Sequence, residues 1–133
     1  MQRMAEMVSA CLESDDLDCI ESTLDYTVAA TGALSSIQRA HIEHIYGYVH
    51  YARGNYERAL EAYRREHALR ADEPAHAYYL AEPLKIMARI YYEQHQYQQA
   101  FDAAVEYLKT TPNPRLVDYV FVDRLRELGA TLQ

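Results

Sequence analysis

An internal repeat is the feature that most narrows what this chain can fold into. The stretch 46–63, YGYVHYARGNYERALEAY, aligns with 87–104, MARIYYEQHQYQQAFDAA, at a shift of 41 residues. In both, a small residue (Gly47, Ala88) opens a tyrosine-bearing helical turn, and a further tyrosine (Tyr56, Tyr97) is followed three residues later by alanine (Ala59, Ala100). A period between about 20 and 50 residues marks an array of supersecondary units, each unable to bury its apolar face alone. Small residues let two helices approach closely, and the large aromatics fill the space beside them. A fainter third copy lies at the N-terminus. Setting Leu17 where Tyr56 stands puts Val8, Ile20 and Leu24 at small or apolar positions, and Ile20 then precedes Ala59 by 39 residues.

Each unit reads as helix, turn, helix. Apolar residues recur at helical spacing almost throughout, and no segment alternates like a strand. The pattern predicts seven helices: about 3–13; a second opened by the capping oxygens of Ser14-Asp15-Asp16 and closed near Gly32; a third from Ser35 or Ser36 to about Arg53; 56–70 after the Gly54-Asn55 turn; a fifth ending near Gln94; 97–109, closed by Thr111-Pro112-Asn113-Pro114; and about 115–128. Pro83 falls inside or near the start of the fifth, where a proline costs about 3 kcal/mol in a helix interior, so a kink or a late start is expected there.

The two clear copies resemble the tetratricopeptide repeat. The first offers Tyr46, Gly47, Gly54, Tyr56, Ala59 and Tyr63; the second offers Leu84, Met87, Ala88, Tyr91, Tyr97, Ala100 and a closing Pro112. That family's period is about 34, shorter than the one here. Glu43 and His50 stand where it prefers apolar residues, and His95 stands where it prefers a turn glycine. The resemblance implies an all-α, right-handed superhelix of antiparallel helix pairs. It divides the chain into a degenerate repeat (1–35), two repeats (36–73 and 74–112) and a C-terminal capping helix (113–133), whose face Val117, Val120, Phe121, Leu125 and Leu128 would cover the last pair. The segment 75–114 is similar, more narrowly, to tetratricopeptide proteins that accompany bacterial TonB-type systems.

Charge limits the partners. Of a net −7, residues 1–35 carry −6, from seven acids and one base. Nucleic-acid binding draws on Lys and Arg facing phosphates, so that class is not expected. No run approaches the roughly 20 apolar residues of a membrane span. The first sixteen residues lack the charged-then-apolar layout of a secretory signal, and a soluble chain of cytoplasm or periplasm fits equally. Cys11 and Cys19 have no metal-site spacing. Antiparallel helices could bring them together, but two small, semi-buried thiols are the simpler expectation.

Catalytic motifs are missing: no glycine-rich phosphate loop, nucleophile elbow, HExxH or EF-hand loop. His41 and His44, three apart, share a helix face, yet no acid or cysteine on that face completes a metal set, so neither a metal nor another cofactor is expected. The same face continues through Tyr48 and Tyr51, opposite Ile42, Tyr46 and Val49, which should be core. Shifted by 41, the stripe becomes Glu82, Lys85, Arg89 and Tyr92. In tetratricopeptide proteins these first-helix positions line a concave groove that holds peptides. The resemblance therefore implies a ligand groove of His41, His44, Tyr48, Tyr51, Lys85, Arg89 and Tyr92, whose cations suit a carboxylate or acidic motif of a partner. The bland alternative is a solvated face whose tyrosines pack on the next repeat. The function expected is a non-catalytic protein-binding scaffold, and the alternative is a self-associating segment of a homo-oligomer or larger assembly.

Overall fold

The computed structural model describes residues 2–73 and 79–131, and every regular element among them is an α-helix. In order these are α1 (Gln2–Glu13), α2 (Leu17–Ala30), α3 (Ser36–Ala52), α4 (Tyr56–Ala71), α5 (Glu82–Glu93), α6 (Tyr97–Thr110) and α7 (Leu116–Glu127), and each packs on the next in the chain. No helix among the described residues is long and apolar enough to cross a membrane.

Local chemistry sets the boundaries. Asp16 caps α2 by accepting from the Cys19 N–H at 3.0 Å. Ser35 and Gln38 form a reciprocal cap on α3: the Gln38 N–H donates to Ser35 Oγ at 3.2 Å, and the Ser35 N–H to Gln38 Oε1 at 3.0 Å. At α7 the Arg115 N–H donates to the Asp118 carboxylate at 2.9 Å. Helix α5 starts late, at Glu82, so that Pro83 falls in the first turn, where its missing N–H breaks no helical bond.

One chain reversal recurs four times. α1, α3, α5 and α7 each end on a residue with positive φ: Asp15 (53°), Gly54 (78°), His95 (60°) and Gly129 (100°). At each, that residue's N–H reaches back three positions and the next N–H reaches back five, to Cys11, His50, Tyr91 and Leu125 respectively. This paired closure needs a left-handed residue at its apex. His95 therefore performs the task of Gly54 at the cost of about 1–2 kcal/mol of backbone strain. The spacings, 39, 41 and then 34 residues, carry the repeat through the degenerate N-terminus and on to α7, which ends as a first helix of a pair does.

The core is a stack of three apolar clusters. Met4, Val8, Cys11, Ile20, Leu24, Ile42 and Val49 tie α1 to α3; Leu60, Tyr63, Leu84, Met87, Ile90 and Tyr107 tie α4 to α6; Ala88, Phe101, Ala104, Val122 and Leu125 tie α5 to α7. The packing positions are buried at Gly47, Ala59, Tyr63, Met87, Ala88 and Ala100, and half-buried at Tyr46, Tyr56, Tyr91 and Tyr97. The two units solve the close approach differently. A Cβ on Gly47 would stand 2.6 Å from Tyr63 Cζ, whereas in the second unit the same two positions hold Ala88 and Ala104.

Several expectations need correction. Cys11 and Cys19 are not free thiols but a disulfide, because the turn at Asp15 places their Cα atoms 5.6 Å apart on adjacent helices. On α7, Val117 and Val120 point outward, 61% and 57% exposed; Val122 and Leu125 do the covering, with Phe121 half-buried, because a 3.6-residue helix cannot turn 117 and 122 to one side. Tyr46 is only half-buried, its hydroxyl donating to Asp25 at 2.6 Å, while Ile42 and Val49 are core. The polar departures at 43 and 50 find company: Glu43 accepts from Arg65 Nε at 2.9 Å, and His50 stacks on Tyr46.

Candidate functional site

Two cavities open at equivalent places in successive units. The first, about 580 Å³, is lined by Ile37, His41 and His44 of α3, Glu66 and Arg70 of α4, and Tyr79 and Glu82. The second, about 180 Å³, is lined by Lys85, Ala88 and Arg89 of α5, Ala104 and Tyr107 of α6, and Val117, Asp118 and Phe121 of α7. Each is walled by both helices of one pair and the first helix of the next. The shift of 41 carries His44 onto Lys85 and Glu66 onto Tyr107, and both pairs are in contact: His44 Nδ1 lies 2.8 Å from Glu66 Oε1, and the Lys85 ammonium sits 5.7 Å above the Tyr107 ring.

The first cavity has a charged floor. Glu66 is 1% exposed; one carboxylate oxygen meets His44 and the other accepts from Arg70 Nε at 2.7 Å. The Arg70 guanidinium in turn lies 5.4 Å over the Tyr79 ring. A buried carboxylate is tolerated when both oxygens are engaged in this way. His41 stands at the rim. Loss of water around its ring, then the neighbouring His44 and Arg70 charges, pull its pKa below the ordinary 6.5 against the opposing effect of Glu66. It is therefore mostly neutral near pH 7, a hydrogen-bonding group rather than a cation.

The second cavity is an apolar socket with a cationic edge. Ala88, Ala104, Val117 and Phe121 give apolar walls; half-buried Lys85 and exposed Arg89 supply positive charge, and buried Asp118 also lines it. Its size suits one side chain, whereas the first is large enough for several groups.

The structure brings together four of the seven residues of the expected groove: His41 and His44 in one cavity, Lys85 and Arg89 in the other. The three tyrosines line neither. Tyr51 packs on Tyr56 and donates to Glu93 at 2.6 Å, linking α3 to the end of α5; burial and then that hydrogen bond push its pKa up to about 12. Tyr92 packs edge-on against Phe121, with ring centres 5.6 Å apart, and Tyr48 is 40% exposed. The sequence reading missed Glu66, Arg70, Tyr107, Asp118 and Phe121. A signal for the first two was present: on α4 the core register Ala59, Tyr63, Glu66, Arg70 ends in two charged residues, and charges at core positions point to a built polar site.

Among the described residues no group of three or more His, Cys, Asp or Glu side chains is arranged to hold a metal ion. No known protein-family model matches the chain, and no curated protein sequence does.

Proposed function

We propose that this chain is a non-catalytic, tetratricopeptide-like scaffold that holds a peptide or an extended segment of a partner protein along the face shared by its two cavities. The observation that carries the reading is repetition: two concavities, each walled by both helices of one pair and the first helix of the next, recur one repeat apart and would together make one track. The track is not uniform. Lys85 and Arg89 favour a carboxylate, from an acidic side chain or a chain terminus, and the socket beside them accepts an adjacent apolar side chain. At the other end, neutral His41 with the Glu66–Arg70 pair and Glu82 offers mixed hydrogen bonding and suits a polar stretch.

The test is binding of a panel of acidic twelve-residue peptides and their neutral counterparts, followed by fluorescence anisotropy. Lys85→Glu with Arg89→Glu should weaken binding of the acidic members by about 100-fold or more, since a hydrogen bond to a charged group contributes about 1.5–3 kcal/mol. Far-ultraviolet circular dichroism and melting should not change. Binding that survives the double reversal would refute the groove.

A second reading, self-association, is favoured by Leu116, Val117, Tyr119 and Val120, an apolar run 49–80% exposed at the start of α7. It predicts a mass by light scattering that rises with concentration, and a constant monomer mass would exclude it.

A further inference from the structure

We propose that the first helix pair is redox-conditional: the Cys11–Cys19 bond keeps α1 docked, and thiol–disulfide exchange at Cys19 releases it. The two sulfurs flank the Asp15 turn symmetrically, four residues to either side. Cys11 occupies the place that His50, Tyr91 and Leu125 take at the other three turns. There a bulky side chain fills the position, and here a covalent bond does.

Little else holds α1. Its buried side chains are Met4, Val8 and Cys11, and among the described residues no ion pair joins it to another helix. Among the described residues, its one polar side-chain contact to another helix besides the disulfide is Cys11 Sγ to the Thr23 hydroxyl at 3.9 Å. Helix α3, by contrast, is tied to α2 through Arg53 with Asp18 and Glu21 and through Tyr46 with Asp25, and to α4 through His44 with Glu66. A helix of twelve residues is marginal in isolation.

The sulfurs differ in access. Cys11 is 2% exposed, whereas Cys19 is half-buried in the first turn of α2. A thiolate of a dithiol reductant attacks Cys19 Sγ, and the sulfur–sulfur bond breaks with its electron pair leaving on Cys11 Sγ, which takes up a proton. The reductant's second thiol then displaces Cys19 as a thiolate and the reductant departs as its own disulfide, two electrons having passed to the cysteine pair. Release of α1 uncovers Ile20 and Leu24 of α2 and Ile42 and Val49 of α3, the strip it now covers.

Hydrogen–deuterium exchange of the full chain tests this, comparing oxidised protein, protein reduced with dithiothreitol, and Cys11→Ser/Cys19→Ser. A cross-link closing so short a loop shifts the opening equilibrium on the order of 50–100-fold. Amide protection across residues 4–13 should fall by about that factor on reduction and equally in the double variant, with α4–α6 unchanged. Reduced glutathione added to the oxidised chain and quenched early should be found in a mixed disulfide with Cys19, its thiolate having displaced Cys11 as the leaving thiol. Unchanged α1 protection after both thiols have been alkylated would overturn the proposal. So would an even loss of protection throughout the chain, an adduct on Cys11 instead, or two free thiols in air-oxidised protein.

Discussion

Replacing Gly47 by alanine separates two physical effects of opposite sign. In a helix interior, alanine is favoured over glycine by about 1 kcal/mol, so propensity alone predicts a more stable protein. The structure predicts the reverse. The new Cβ would stand 2.6 Å from Tyr63 Cζ and 2.7 Å from Cε1, about 1 Å inside normal carbon–carbon contact. Tyr63 cannot yield easily: it is 2% exposed and its ring packs edge-on against His44 at 5.8 Å. Overpacking of this kind costs about 1–3 kcal/mol, so against the propensity gain the net expectation is a loss of up to about 2 kcal/mol. In a Tyr63→Leu background the ring's far end is gone, and Gly47→Ala should become stabilising by about 1 kcal/mol. The coupling between the two positions is then about 1–3 kcal/mol. Urea unfolding of the four proteins, followed by circular dichroism with the slope unchanged, measures it. A Gly47→Ala protein more stable than the parent, or effects that simply add, would refute the packing argument.

Three further expectations follow from single sites. His95 at φ 60° should welcome glycine: His95→Gly should raise stability by up to about 1 kcal/mol in the same urea assay even though its 2.8 Å contact with Tyr97 is lost, while His95→Val should lower it by about 1–2 kcal/mol. Glu66→Ala leaves the buried Arg70 uncompensated and should cost about 3–5 kcal/mol, whereas Glu66→Met with Arg70→Met should be near neutral in chemical denaturation. The depressed pKa of His41 means that the unfolded chain binds the proton more readily. Its contribution to stability is full above pH 6.5 and declines as pH falls towards the folded-state value, so the parent should lose stability against His41→Gln below pH 6.5 and match its pH response above it, and the His41 ring should titrate below 6.5 by NMR.

The helices and their pairing were legible because they rest on local chemistry. Asp16 and Ser35 announce two starts, Gly54 and Gly129 announce two ends, and the apolar spacing does the rest. The repeat was legible at 46–63 and 87–104 because side chains carry it there; in the first unit it survives mainly in the backbone turn at Asp15, which residue identity alone does not reveal. The expectation of two thiols fails for a related reason: two cysteines eight apart meet only when the turn between them closes tightly. Groove membership depends on height along each helix as well as on its face. Tyr51 lies within about 20° of His44 but two turns, about 10 Å, further along α3, so His41 and His44 reach the cavity while Tyr51 meets Glu93 of α5. The second helix of each pair supplies two residues of each wall, and periodicity within one helix is silent about what a neighbour contributes.

The proposed function requires one face, running from His41 and His44 to Lys85, Arg89 and Phe121, to receive a partner segment. The most direct measurement is a titration of isotope-labelled chain with an acidic peptide, read as amide shift changes by NMR. Saturable changes are expected along α3, α5 and the start of α7, strongest around Lys85 and Arg89, with little change on α2. Changes confined to α1 and α2, or scattered without saturation, would contradict it.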